Sequence, residues 1–472
     1  MAHWESVVPF MIIIIIALWT KQVIPGLFIG LMAASYLVQG SLLGGIEKMA
    51  DYLVTNLAKP PKLQVIGFLY IFTGIIHLSK KTGGISGFIE LVSKKIHSKK
   101  QAVLLVWLTL IGTFISPNLR IVTVAPIMKS LQGPLQLNKE RISFVIEASA
   151  LPVIALIPLA TAFIGYMTST IDLALDNAAI PGDAYIYFLK SIPFNFFSIV
   201  TIVLAILYSI YPHPAIFNRY MDHKEDRKED SSEKDSEDSA SGQIEANVFN
   251  LVIPLSLALG LSVLLSWLDG YQKSSSFSQA FVKADVTHSM FVAILITLLV
   301  TFVMLLIEKH DMKGLLDDFF EGGNKLIPAF FLFALVWALS SAAKDLGLAE
   351  FVTSTLGEIP ASIIPPVTFV LGSLIAYFIG SAWGSWGLLM PVGVSLASAS
   401  SLPLEVFIGI VFASGTLGGL ISPLSGTTVT MAKIMELDTI LYAKYKFKHV
   451  IVPFVLSAVL YWGFAYFDKF YH

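Results

Sequence analysis

FISPNLRIVTVAP (114–126) and FIGSAWGSWGLLMP (378–391) are two versions of one segment, and their spacing decides how the chain is built. Pro126 and Pro391 are separated by 265 residues, and the same offset relates Glu140 to Glu405, Ala148-Ser149 to Ala413-Ser414 and Pro158 to Pro423. Upstream, KTGGISGF (81–88) and KDLGLAEF (344–351) match with an offset of 263. A near-constant offset from Lys81 through Pro158 implies that the chain contains one unit twice. In a membrane protein, two related units imply a secondary transporter whose site lies where the units meet.

Composition supports the membrane reading. Of 472 residues, 55% are hydrophobic and 14% are charged, against roughly a quarter charged in a soluble domain. Runs such as VVPFMIIIIIALW and MFVAILITLLVTFVMLLI approach the length needed to cross ~30 Å of hydrocarbon as a helix. The alternating pattern of an outer-membrane barrel is missing. The fold class expected is therefore an all-α polytopic membrane protein. We read ten spans, at 6–20, 22–40, 64–79, 142–168, 185–211, 247–268, 284–307, 325–342, 404–431 and 449–468. Segments 102–131 and 361–400 are apolar but interrupted by SPNLR and GSAWGSWG. Backbone unwound at membrane depth survives only inside protein or beside water, so both read as re-entrant hairpins. Ordinary spans with kinks are the blander reading.

The stretch 218–243 is charged, Ser-rich and without apolar period, which predicts a solvated, disordered linker. The expected organisation is transmembrane unit 1 over 1–212, a charged cytoplasmic linker over 213–246 and transmembrane unit 2 over 247–472. MAHWES has no basic region before its apolar run, so the first span reads as retained. The lysine-rich amphipathic segment 79–100, the loop KERIS, the linker, the loop at Lys309–Lys313 and KYKFKH (444–449) read as lying on the cytoplasmic side. The acidic loop with Asp172, Asp176 and Asp183 reads as outside, as do both termini in a plasma-membrane protein. This threading puts the two units upside down relative to each other. The loop 41–63, with Lys48, Lys59 and Lys62, falls outside and runs against the charge rule.

Inverted units would bring two broken hairpins together near the midplane, where half-helix ends offer free N–H and C=O groups. This selects Ser116, Asn118 and Arg120 in the first hairpin and Ser381, Trp383 and Ser385 in the second. Ser116, Asn118, Ser422 and Thr427 are the neutral oxygen ligands we assign to Na+; Ser, Gly and Pro also serve simple helix packing. The run ASGTLGGLISPLSGTTVTMAK carries Ser414, Ser422, Ser425, Thr427 and Thr428 about a helix-breaking Pro423, with Ser149 as the repeat of Ser414. Glu147 is the carboxylate well inside the first unit, able to trade a proton for a cation, or to pair with Arg141 or Lys139 at an interface. Arg120 could pair with Glu147 or hold a substrate carboxylate. His77 and His288 stand alone in sequence and receive no metal.

No GxSxG, GxxxxGK[ST] or HExxH motif is found in the sequence, so neither an enzyme nor ATP-driven transport is expected. No cofactor is expected beyond Na+ and/or H+ as coupling ion. Expected partners are the lipid bilayer and a small ion, organic anion or amino acid; a homodimer is allowed and nucleic acid is not expected. A membrane scaffold that moves nothing is the remaining class.

FISPNLRIVTVAPIMK followed by ERISFVIEASALP, with ALVWALSSAAKDLGLAEFV, GSAWGSWGLLMPV and LISPLSGTTV, resembles the NhaC sodium:proton antiporter family. The resemblance implies Na+/H+ exchange, in some members coupled to an organic acid or amino acid. The family's acidic pair in the first hairpin is replaced here by Ser116 and Pro117, Gly426 stands where an Asp is common, and Glu147 matches a family Asp. The resemblance thus implies antiport with Glu147 as the retained acid. The alternative is a Na+- or H+-coupled carrier of a small acid or amino acid anchored by Arg120.

Overall fold

The computed structural model describes residues 4–20, 22–93, 96–114, 116–158, 161, 163–210, 246–274, 280–356, 360–400 and 402–471. The linker expected over 213–246 lies outside the described residues, Ala246 excepted. The described residues form helices, with no strand among them. Among the described residues, six helices are long and apolar enough to cross a membrane, or eight if two bent pairs each count as one span. Several of the spans read from sequence are built from shorter helices joined at breaks.

Proline and glycine set the breaks. Pro60–Lys81 carries proline in its first turn and ends before Gly83, whose φ is +79°. Its repeat Ile327–Asp345 also has proline in the first turn and ends before Gly347, at φ +69°. A proline lacks the N–H that a first turn leaves unpaired anyway, and glycine accepts the left-handed turn that follows. Each presumed hairpin is interrupted where expected. Ser116 is extended ahead of Pro117–Leu135, and Gly380 is left-handed between Ile364–Ile379 and Ala382–Ser400. The span expected at 142–168 is instead Lys139–Ala148, a single turn at Leu151–Ile154 and Ile164–Asn177. The one at 404–431 is Leu404–Ile421 and Gly426–Met435, parted at Ser422–Ser425.

One reading of a charged segment is corrected, and a second charged segment shows a buried face. The loop 41–63 is largely the helix Leu42–Leu57, bent 116° from Val23–Gln39. It buries Gly45, Met49, Tyr52 and Asn56, a helical spacing that its charges obscured. KYKFKH belongs to the continuous helix Thr439–Tyr471. Tyr442, Ala443, Lys446, His449 and Val450 are buried on one face while Lys444 and Lys448 remain exposed.

The two halves of the chain exchange partners. Val23–Gln39 and Leu42–Leu57 of the first pack on Ile327–Asp345 of the second, while Val286–Ile307 and Met312–Asn324 of the second pack on Pro60–Lys81 of the first. Likewise Pro117–Leu135 lies against Gly426–Met435, and Ala382–Ser400 against Ile164–Asn177. Each contact has a counterpart with the roles of the units swapped, which brings the interrupted helices of both to one interface.

Candidate functional site

Glu147 lies at the end of Lys139–Ala148, which Asn138 starts by accepting a hydrogen bond from the Arg141 N–H at 2.7 Å. Every residue from Ile142 to Ala148 is buried, so the last turn carries its carboxylate into the interior just before the chain breaks. Thr428 occupies the first turn of Gly426–Met435, which exists as a separate helix because Pro423 and extended Ser422 end the one before it. The long helix Thr439–Tyr471 brings Lys446 between them.

Lys446 Nζ stands 2.9 Å from Glu147 Oε2 and donates to Thr428 Oγ1 at 2.7 Å. The Tyr442 hydroxyl donates to the same carboxylate oxygen at 2.5 Å, and the ammonium lies 4.7 Å from the Tyr442 ring centre. The Lys446 and Glu147 side chains are 0% and 2% exposed. Glu147 Oε1, also buried, has no hydrogen-bond partner among the described residues. Taking such a pair out of water costs several kcal/mol per ion before their attraction repays it. One carboxylate oxygen is thus saturated while the other is bare. Ser425 and Thr427 bond to each other at 2.9 Å in the adjoining break, and Ser422 Oγ accepts from the Leu424 N–H.

Arg120 does not meet Glu147. Its guanidinium, fully buried, donates to Thr113 Oγ1 at 2.9 Å, to the Val106 carbonyl at 2.6 Å and to Ser149 Oγ at 2.7 Å. All are neutral, and among the described residues no carboxylate lies within ion-pair distance of it. Arginine does not shed its proton in proteins, so this positive charge is buried without a counter-charge. Ser116, at the break, is half-buried, and Asn118 is exposed.

In the second hairpin, Ser381 caps its helix by accepting from the Gly384 N–H, and Ser385 bonds back to the Ser381 carbonyl. Ser414 bonds to the Val411 carbonyl. Trp383 stands edge-on to Phe163 with ring centres 4.4 Å apart, and the Tyr166 hydroxyl donates to its carbonyl. Trp386 Nε1 donates to the Phe412 carbonyl. No hydrogen bond joins Ser116 or Asn118 to Ser381 or Trp383 among the described residues. The expected residues therefore gather in two clusters, Glu147 with Thr428 and Arg120 with Ser149, rather than across facing hairpin tips. Lys446 and Tyr442 were missed from sequence; their signal is the buried face that runs through a lysine-rich stretch.

At the rim, Lys129 of Pro117–Leu135 meets Glu436, just beyond Gly426–Met435, at 2.7 Å. The hydrogen bond from Lys129 holds the Glu436 carboxyl below its usual range. His77, Asp318 and Glu321 offer three ligand atoms within 4.8 Å of one another. Lys81 and Lys325 reach the same carboxylates, so ammonium groups already serve as their counter-ions.

The sequence matches the Na+/H+ antiporter family over residues 159–464. An uncharacterized Haemophilus influenzae protein is 20% identical over 449 residues, 92% of this chain and 86% of that one. The arginine/ornithine antiporter ArcD of Halobacterium salinarum is 25% identical over 150 residues, 31% of each chain. The crystal structure of the Alcanivorax borkumensis YdaH transporter superposes with a TM-score of 0.58 at 14% identity, covering 88% of both chains, a likeness of fold. With apolar helices long enough to cross a bilayer and a family match over more than half its length, this chain is a multi-pass membrane protein and a secondary transporter belonging to the Na+/H+ antiporter family.

Proposed function

We propose that this transporter exchanges a small cation, Na+ in the first instance, for protons at the Glu147–Lys446 pair. The observation that carries the reading is a fully buried carboxylate with one oxygen bonded to an ammonium and the other bare. While Lys446 keeps its proton, the pair is neutral and a cation gains little there. When Lys446 loses the proton, Glu147 becomes a lone negative charge, with Oε1 open and the Thr428 hydroxyl released from the amine. Carboxylate and hydroxyl oxygens suit a hard cation; Ser425 and Thr427 adjoin them as further ligands. The protonated Lys446 amine and the cation are then alternative counter-charges of one carboxylate, which is the coupling an antiporter needs. Glu147 belongs to the first unit, Thr428 and Lys446 to the second, so movement of one unit against the other would open the pair to alternate sides. On this reading the units are inverted, with linker 213–246 at the cytoplasmic face and both termini outside.

The test is a Na+ pulse on proteoliposomes loaded with a pH-sensitive dye. Glu147→Gln is expected to lower the Na+-evoked pH change more than tenfold; a wild-type response from this variant rejects the reading.

Arg120 favours a second reading, in which the cargo includes an organic carboxylate that supplies the negative charge its surroundings lack. In the same vesicles, Arg120→Gln would then abolish uptake of radiolabelled malate, lactate or glutamate and spare the Na+-evoked pH change. Unaltered uptake of all three by Arg120→Gln counts against it.

A further inference from the structure

Lys62 is a third buried cation, after Lys446 and Arg120, and lies far in sequence from the Glu147 pair. Pro60 and Pro61 start the helix Pro60–Lys81 and direct its third residue inward, leaving Lys62 3% exposed. Its ammonium donates to Asn56 Oδ1 at 2.9 Å and lies 5.0 Å from the centre of the Trp337 ring. No carboxylate oxygen lies within 4.0 Å of it among the described residues; Asp172 and Asp176 act on it only from farther off, against the opposing field of Lys59. Asn56 is fixed by its own bonds to the Tyr52 carbonyl and to Ser341 Oγ. Trp337 is fully buried, and its indole N–H has no hydrogen-bond partner among the described residues.

An ammonium has three N–H donors, and one is used here. With the indole N–H, three donors here lack a hydrogen-bond acceptor among the described residues, and the positive charge has the Trp337 ring face beside it but no counter-charge within 4.0 Å. Leaving such groups bare costs about 1–3 kcal/mol each. A cation is repelled by Lys62, and a neutral hydroxyl supplies too few acceptors. A carboxylate supplies two oxygens and the missing charge. Among the described residues, the fully buried charged side chains other than histidine are Lys62, Arg120 and Lys446 against Glu147 alone, so the interior as a whole favours an anion.

We propose that Lys62, Trp337 and Asn56 form a docking station for the carboxylate of a small organic acid or amino acid. Lys62 and Asn56 come from the first unit, Trp337 and Ser341 from the second. An occupant therefore touches both and is released when they move apart. The inference deepens the organic-cargo reading, and rests on it only for the purpose of the station; the binding itself is measured without transport.

The purified full-length protein in detergent is titrated with choline malate, lactate and glutamate while its thermal unfolding is followed, with choline chloride as the ionic-strength control. At least one carboxylate is expected to raise Tm saturably beyond chloride. Trp337→Phe keeps the ring and its packing but loses the N–H, and is expected to weaken the apparent affinity about tenfold, the loss of one hydrogen bond to a charged group. Lys62→Met is expected to abolish the effect and Lys62→Arg to retain part of it. Wild-type titrations from both Trp337→Phe and Lys62→Met overturn the proposal, as does stabilisation of the wild type by carboxylates no greater than by chloride. Glu147→Gln should keep the titration while losing the Na+-evoked pH change, so failure of the exchange reading and failure of the docking station give different results.

Discussion

Lys446→Met is expected to destabilise the folded protein by about 3–5 kcal/mol, because it leaves Glu147 as a buried carboxylate with no counter-charge. The Tyr442 hydroxyl still reaches Oε2, but one neutral donor does not replace an ammonium. Glu147→Gln is expected to cost less, since Lys446 keeps its bond to Thr428. The informative variant is the double one. With Glu147→Gln and Lys446→Met combined, neither charge remains to be desolvated, and a buried pair replaced by neutral groups of similar size is often no less stable than the original. The double variant should therefore recover most of the stability lost in Lys446→Met. None of the three should show Na+-evoked exchange, because each lacks at least one member of the ionisable pair. Denaturant or thermal unfolding in detergent, combined as a double-mutant cycle, measures this directly. Strictly additive losses would mean that the two side chains are not energetically coupled, and the exchange centre would have to be sought elsewhere.

Gly418→Val is expected to have a comparable effect by a different cause. A Cβ on Gly418 would lie 2.3 Å from the Ala376 carbonyl carbon and Cβ and 2.5 Å from the Tyr377 nitrogen. Most of what it meets is backbone, so no rotamer change can relieve the clash. Ile364–Ile379 and Leu404–Ile421 would have to separate along their whole contact. Overpacking a close interface costs about 1–3 kcal/mol and occasionally more; two rigid helices at this distance place Gly418→Val at the upper end, near 3 kcal/mol or beyond. The second of these helices leads into the break at Ser422–Ser425, so displacement also shifts Thr428 relative to Lys446. Gly463→Ala provides the contrast. A Cβ there meets nothing within 4 Å, and removing a helix-interior glycine should gain about 0.5–1 kcal/mol. A size-exclusion profile and thermal midpoint for each variant check both signs. Equal midpoints for Gly418→Val and wild type would show that the helices do not approach so closely.

Much of the architecture is legible in the sequence. The membrane class follows from composition, and the duplication from the offset between the two hairpin motifs. The interruptions at Ser116, Gly380 and Ser422–Ser425 are set by Pro, Gly and Ser, which limit backbone angles or hydrogen bonding wherever they occur. Glu147 is identifiable as a carboxylate inside an apolar stretch. Other features are hidden by the averaging that makes charge patterns readable. In KYKFKH three lysines read as marking a cytoplasmic side, yet Lys446 shares a face with Tyr442 and His449 and is buried while Lys444 and Lys448 are exposed. Lys62, in a loop by its charge, is likewise taken inward by a helix start.

The sequence by itself determined that this chain is a helical membrane protein broken at defined points, because those properties depend on composition and on local backbone constraints. Only the tertiary structure decided which charges meet. Glu147 finds Lys446 across 299 residues, Arg120 is surrounded by neutral acceptors, and Lys62 settles over Trp337. A pairing in a low-dielectric interior depends on which helix faces are brought together, and no local stretch of sequence contains that information.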